Sequence, residues 1–187
     1  MESKKDIRKR VLTIRQNLTD KEWEEKSHQI YEKVTSHPFF LQADAIYCYV
    51  DYRKEVGTNH IIQYAWECGK KVAVPKIIGD EMEFYCIQSF EELEEGYKGI
   101  FEPSHAHAAQ DDDVLVIMPG SVFDINCNRI GYGKGYYDKY LQTHPNFKKI
   151  AIAFELQMLE TIPAEAHDIS PDIIITEEKT YERQLTK

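Results

Sequence analysis

The run Val114-Leu115-Val116-Ile117 carries no polar side chain at either parity. A strand with one wet face alternates apolar with polar residues, so a run of this kind belongs to a strand covered on both sides. That is the condition of a parallel sheet lying between layers of helix. Other β-rich runs, over residues 45–50, 71–75, 82–86, 150–154 and 172–176, are separated by loops and helical patterns. The first leads into a polar loop over 51–57 and then into a helical stretch that Thr58 can cap and Gly69 can stop. Strand, loop and helix in repeated order predict an α/β fold.

The N-terminus is helical by period. Ile7, Val11, Ile14 and Leu18 form one apolar stripe, and Thr19 with Glu22 fits a capping box that opens a second helix. Beside the stripe, Lys4, Arg8 and Arg15 share a face, and Lys5, Lys9 and Arg10 make the segment locally basic; spacing alone reads this as a solvated cationic surface. The chain as a whole is acidic: 23 Lys and Arg against 32 Asp and Glu give a net charge of −9. A field of that sign repels nucleic acid and anionic membranes, so neither is an expected partner, and an anionic ligand must meet a local basic cluster. The 187 residues, 42% hydrophobic and 29% charged, suit one globular domain spanning 1–187. No apolar run approaches the roughly 18 residues needed to span a bilayer. The amphipathic N-terminus does not resemble a secretory core, so a cytoplasmic location is expected. Cys48, Cys68, Cys86 and Cys127 form no C-x-x-C pair and read as buried thiols. His105 and His107 read as exposed loop residues, and the acidic runs at 91–95 and 111–113 as solvated surface.

One segment stands apart. Met118-Pro119-Gly120-Ser121-Val122-Phe123-Asp124 is followed by Arg129-Ile130-Gly131-Tyr132-Gly133-Lys134-Gly135-Tyr136-Tyr137-Asp138. Alternating glycines let the backbone take positive φ and bring main-chain N–H groups close to a ligand, while Arg129 and Lys134 offer charge to phosphate oxygens and Asp138 offers a hard oxygen to a divalent ion. The spacing is one residue short of G-x-G-x-x-G, and no G-x-x-x-x-G-K-[ST] is present, which excludes the usual dinucleotide and Walker patterns. Both this loop and the 51–57 loop follow apolar strands, the side on which open α/β sheets hold ligands.

Read as Pro-Gly-x-x-Phe-Asp, a spacer and Arg-x-Gly-x-Gly-Lys-Gly-Tyr-Tyr-Asp, the segment closely resembles the C-terminal motif of the 5-formyltetrahydrofolate cyclo-ligases, or methenyltetrahydrofolate synthetases. Lys4-Lys5-Asp6-Ile7-Arg8 resembles that family's N-terminal ATP-contacting segment, and Val50, Glu55 and Thr58 resemble its folate-site segment. Two positions depart from the pattern: an aromatic-then-Pro stretch reads here as Gly99-Ile100-Phe101-Glu102-Pro103, and Tyr132 occupies a variable position. The resemblance implies a three-layer α/β/α sandwich around a mainly parallel sheet, of the type shared with phosphosugar isomerases and CoA transferases. It also implies a monomer that closes 5-formyltetrahydrofolate to 5,10-methenyltetrahydrofolate with ATP and Mg²⁺. By the same resemblance, Lys134, Arg129 and Arg8 act in catalysis. ATP falls to Lys4, Lys5, Arg8, Arg129, Gly131, Gly133, Lys134, Gly135, Tyr136 and Tyr137. Folate falls to Val50, Glu55, Tyr132, Gly133, Lys134, Gly135 and Tyr136, and Mg²⁺ to Asp138 with Asp172. Two other readings stay open at this level: a phosphosugar-isomerase or CoA-transferase-like enzyme on a similar sheet, and a nucleotide- or folate-binding module without turnover.

Overall fold

The computed structural model describes residues 2–105 and 107–184, with Tyr97 described by its backbone alone. The chain opens with α1 (Lys4–Gln16), α2 (Asp20–Ser36) and α3 (Pro38–Gln42), enters β1 (Ala45–Cys48), and passes through α4 (Asn59–Glu67) to the hairpin β2 (Lys71–Ile78) and β3 (Glu81–Cys86). A small ribbon, β4 (Leu93–Glu95) and β5 (Phe101–Pro103), precedes β6 (Val114–Met118), β7 (Val122–Asp124) and β8 (Arg129–Ile130). After these come α5 (Tyr136–Gln142), β9 (Lys148–Ile152), β10 (Met158–Leu159), β11 (Ile173–Ile175) and β12 (Thr180–Glu182).

Seven strands form one sheet in the order β12-β11-β9-β6-β1-β2-β3. The pairs β11–β9, β9–β6, β6–β1 and β1–β2 are parallel, and the edge strands β12 and β3 run antiparallel to their neighbours. The apolar runs split by parity between the two faces. Ile46, Cys48, Leu115, Ile117, Ile150, Ile152, Ile173 and Ile175 pack with α2, α3 and α4. Ala45, Tyr47, Val114, Val116, Met118, Ala151 and Ile174 pack on the other face with Phe84, Tyr140, Leu141 and Phe147. This is why Val114–Met118 tolerates no polar residue: all five positions are buried. Pro75 lies inside β2, yet β1 pairs only with Lys71–Ala73, so beyond Ala73 the strand has no neighbour on that side to miss the proline N–H.

The capping box is present, with Thr19 and Glu22 reciprocally bonded, and Gly69 follows α4 at φ +74°. Thr58 precedes α4 but its hydroxyl does not cap it. Instead it bonds Asp51 Oδ1 at 3.0 Å, closing the loop rather than the helix. The α1 stripe also differs from its periodic reading: Ile7 and Val11 are buried, Ile14 is 47% exposed, and Arg15 is 2% exposed. The buried line is therefore 7, 11, 15, an i, i+4, i+8 ridge that carries a cation inward where the helix crosses the glycine loop. A second small sheet, β10-β7-β8, packs with α1 through Val122, Ile130, Ile7, Val11 and Ile162. Among the described residues no helix is long and apolar enough to cross a membrane.

Candidate active site

Two cavities open beyond the carboxyl ends of β1 and β6. One, of about 210 Å³, is walled mainly by apolar groups: Tyr49 and Val50 after β1, Pro75 and Ile77 of β2, Met82 of β3, Ile100 beside β5, and Tyr136 and Tyr137 of α5, with Glu55 among them. The other, of about 450 Å³, is polar, lined by Lys4 and Arg8 of α1, Gly133, Gln142 of α5, and Glu165, His167 and Asp168 from the connection before β11. Arg129, Gly131, Lys134, Gly135 and Asp138 line both. The glycine segment is thus a partition between an apolar and a cationic space.

Its shape is imposed from below. Asp124, fully buried, accepts from the Asn126 and Asn128 N–H groups at 2.9 Å, from Asn128 Nδ2 at 2.9 Å and from the Ile162 N–H at 3.1 Å. These four bonds satisfy a charge held away from water and close the β7–β8 turn that delivers Arg129. Ser121 Oγ donates to the Ile130 carbonyl at 2.7 Å, and Gln157 Nε2 donates to the Gly120 carbonyl at 3.0 Å. Gly133 at φ +98° and Gly135 at φ +68° take left-handed conformations that a side chain would strain. From α1, Arg8 Nε donates to the Gly131 carbonyl at 2.8 Å and ties the basic helix to the partition.

The charges divide into committed and available. Arg129, its side chain 4% exposed, donates from Nη2 to Asp138 Oδ1 at 2.9 Å and from Nη1 to the Pro119 carbonyl at 3.3 Å. Asp138 Oδ1 also accepts from the Ile169 N–H at 2.9 Å, while its Oδ2 has no partner among the described residues. Lys134 is exposed to both cavities and has no ion-pair or hydrogen-bond partner among the described residues, so its full charge is available to a ligand. Lys4 pairs with Asp168 at 2.6 Å and with Glu165 at 3.5 Å. Burial works to raise the Asp168 carboxyl, but the Lys4 ammonium, the Glu165 N–H and His167 together hold it below its ordinary value, so it stays ionised.

Glu55 is the opposite case. Burial pushes its carboxyl up to about 7 against the lowering effects of the Tyr132 hydroxyl, the Arg15 charge and the Tyr52 N–H, which donates to Oε2 at 2.8 Å; Asp51 adds to the rise. The Trp23 indole N–H fixes the same residue by its carbonyl at 2.6 Å. Tyr132 presents its ring outward and its hydroxyl inward, where it accepts from Arg15 Nη1 at 2.9 Å; burial, foremost, and the Glu55 charge raise its pKa. Tyr137 has a buried hydroxyl without a partner among the described residues, and its ring lies 5.9 Å from the Arg129 guanidinium.

The fold brings most of the residues named from sequence to these walls and sorts them. Lys4, Arg8 and Gly133 lie on the polar cavity; Val50, Glu55, Tyr132, Tyr136 and Tyr137 lie on the apolar one. Gly133 does not reach the apolar side, the two tyrosines of α5 do not reach the polar side, and Lys5 lines neither. Asp172, expected beside Asp138 at the metal, lines neither cavity. It sits at the start of β11, where it accepts from the Lys149 N–H at 2.8 Å and pairs with Lys149 Nζ at 3.5 Å, at the end of the sheet opposite the glycine loop. The carboxylates that the chain brings to the polar cavity beside Asp138 are Glu165 and Asp168, which sequence reading passed over within the connection between two strands. Position was the one available signal, because that connection leaves the carboxyl end of β9. Ile100 and Glu102, in the stretch that departs from the motif pattern, line the apolar cavity.

Comparison with known proteins agrees with this arrangement. Residues 1–177 match the model of the 5-formyltetrahydrofolate cyclo-ligase family. A probable 5-formyltetrahydrofolate cyclo-ligase of Schizosaccharomyces pombe is 32% identical over 87% of this chain and 89% of its own, and the 5-formyltetrahydrofolate cyclo-ligase of Haemophilus influenzae is 28% identical over 90% and 94%. The solved structure of the Aquifex aeolicus 5,10-methenyltetrahydrofolate synthetase superposes with a TM-score of 0.87 at 30% identity, covering 98% of this chain and 94% of that one. A Mycoplasma pneumoniae synthetase, at 24% identity and a TM-score of 0.75, shares the fold. With its motifs, fold and family match in agreement, the chain belongs to the 5-formyltetrahydrofolate cyclo-ligase family.

Proposed function

We propose that this chain, acting as one monomeric domain in the cytoplasm, converts 5-formyltetrahydrofolate to 5,10-methenyltetrahydrofolate with ATP and Mg²⁺, releasing ADP and phosphate. The observation that carries this reading is the pair of unlike cavities sharing the glycine partition: a mainly apolar space with the Glu55 carboxylate in its wall suits a pterin, and a cationic space suits a triphosphate. A formyl amide oxygen is a poor leaving group. It first attacks the γ-phosphorus while the bond to the bridging oxygen of ADP breaks; the neighbouring folate nitrogen then adds to the activated carbon, and phosphate leaves with the former formyl oxygen and the nitrogen's proton.

Two substrates must therefore meet across one wall, and Lys134 on that wall has no ion-pair or hydrogen-bond partner among the described residues. Its ammonium neutralises charge that develops on the transferring phosphoryl group. Arg8, bonded to Gly131, adds charge from the nucleotide side, while Arg129, paired with Asp138, mainly holds the partition in shape. Asp138 Oδ2 and Asp168 Oδ1, both on residues lining the polar cavity and both without a hydrogen-bond partner among the described residues, fit the oxygen preference of Mg²⁺, which combines one or two carboxylates with substrate phosphates and water. When bound there the ion supplies further positive charge to the phosphates. On the other side, the Glu55 carboxylate accepts adjacent N–H groups of the pterin, and Tyr136 packs along the ring.

Closure of the methenyl bridge conjugates the folate, so near-ultraviolet absorbance follows the reaction directly. Product should form only when ATP and Mg²⁺ are both present. Product without nucleotide would sink the phosphorylation step, and binding without any absorbance change would favour a module lacking turnover.

A further inference from the structure

Arg15 is a buried cation that lines neither cavity. It lies at the inner end of α1, away from Lys4 and Arg8. Nη1 donates to the Tyr132 hydroxyl at 2.9 Å and Nη2 to the Arg53 carbonyl at 3.2 Å, a carbonyl that also accepts from Gln16 Nε2 at 2.8 Å. One guanidinium thus spans the glycine loop and the Glu55 loop, the two segments that frame the apolar cavity. Nε is buried and has no hydrogen-bond partner among the described residues, a costly arrangement for a charged group.

We propose that Arg15 is a positioning residue for folate recognition, holding the Tyr132 hydroxyl and the Glu55 loop in one register. The inference rests on the reading of Glu55 as the pterin acceptor. The charged and titratable groups on the elements around Glu55 are Arg15 from α1, Tyr132 and Lys134 from the glycine loop, Arg129 of β8, Tyr137 and Asp138 of α5, Tyr49 after β1, Lys98 and Glu102 at the β4–β5 ribbon, and Asp51, Arg53 and Lys54 from its own loop. The Arg15 charge favours the ionised carboxylate, against burial and Asp51, which favour the neutral acid. Without it the carboxyl would stay protonated to higher pH, and a protonated carboxyl offers a donor where the pterin presents donors of its own. The helix that brings Lys4 and Arg8 to the polar cavity would then also set the chemistry of the apolar one.

The test uses the full chain and the absorbance assay, with KM for 5-formyltetrahydrofolate and for ATP measured from pH 6 to pH 9. Arg15→Met should raise the folate KM at pH 7.5 by about tenfold, and the pH below which that KM climbs should move up by about one unit, as expected for loss of a nearby opposite charge. The ATP KM should stay within about twofold. Arg15→Lys should restore the position of the pH profile while keeping a raised folate KM, since one ammonium cannot span both acceptors. Equal rises in both KM values with an unmoved pH profile would reduce Arg15 to structural support and overturn the proposal. Should Arg15→Met fail to melt cooperatively, Tyr132→Phe decides: it removes the hydroxyl between Arg15 and Glu55, and an unmoved pH profile there overturns the proposal equally. Glu55→Gln separates the two readings. If that variant binds folate normally, the assignment of Glu55 fails; if it binds weakly while Arg15→Met leaves the profile in place, the role of Arg15 alone fails.

Discussion

Glu55→Gln separates stability from recognition in one substitution. The carboxyl stands at about 7 in the folded chain against an ordinary 4.5, because burial disfavours its charged form. The folded state therefore holds this proton more tightly than the unfolded state. The contribution to stability is fully present below pH 4.5 and is lost as pH rises through 7, where the folded protein must ionise a covered acid. Moving the carboxyl from 4.5 to about 7 corresponds to roughly 3 kcal/mol at pH 8, and to under about 1 kcal/mol at pH 5. Glu55 keeps part of its surface open to the cavity, so a discounted gain of about 2 kcal/mol is expected when glutamine replaces it, or roughly 4–8 °C in Tm for a chain of this size. The assay is thermal and urea denaturation of both proteins at pH 5 and pH 8. The variant should be the more stable at pH 8, the gap should nearly close at pH 5, and the folate KM should rise by roughly ten- to a hundredfold, the scale of a hydrogen bond to a charged group. A gap of equal size at both pH values would refute the reasoning from burial, and a normal folate KM would make Glu55 a covered acid without a ligand.

Lys134→Met should lower kcat by roughly a hundredfold, about 3 kcal/mol in the transition state, with a smaller change in folate affinity; equal losses in kcat and binding would contradict its role on the phosphoryl group. Asp138→Asn and Asp168→Asn should each raise the Mg²⁺ concentration needed for half-maximal rate, whereas Asp172→Asn should leave that titration unmoved, and the opposite ranking would return the metal site to Asp172. Asp138→Asn should in addition lower stability by roughly 2 kcal/mol, because it leaves the buried Arg129 guanidinium with a weaker partner, a loss visible in urea unfolding. Gly133→Ala, at φ +98° with Arg8 Nη1 3.5 Å from the added carbon, should cost about 1–2 kcal/mol of strain and raise the ATP KM more than the folate KM; unaltered kinetics would show that the loop conformation is not needed.

What the sequence determined was the part of the fold set by local chemistry. An unbroken apolar run needs cover on both faces, so the run from Val114 to Ile117 announced a sandwiched sheet, and the Thr19–Glu22 capping box and Gly69 marked helix ends because their bonds or φ angles are satisfied within a few residues. The glycine segment was legible for the same reason, since its cations, glycines and carboxylate are contiguous. The short strands β7, β8 and β10 were not, because two or three residues carry no period and exist only through their pairing.

Tertiary structure decided which charges are available. Arg129 and Asp138 looked like independent ligands, yet folding joins them; Arg15 looked like one more surface cation, yet the crossing of α1 over two loops buries it. Asp168 and Asp172 stand four positions apart, and no local signal separates them. The intervening chain carries one to the polar cavity and returns the other to the start of β11. Sequence specifies which side chains can carry charge, but the field that each contributes depends on partners distant along the chain, and only the packed sheet fixes which partners those are.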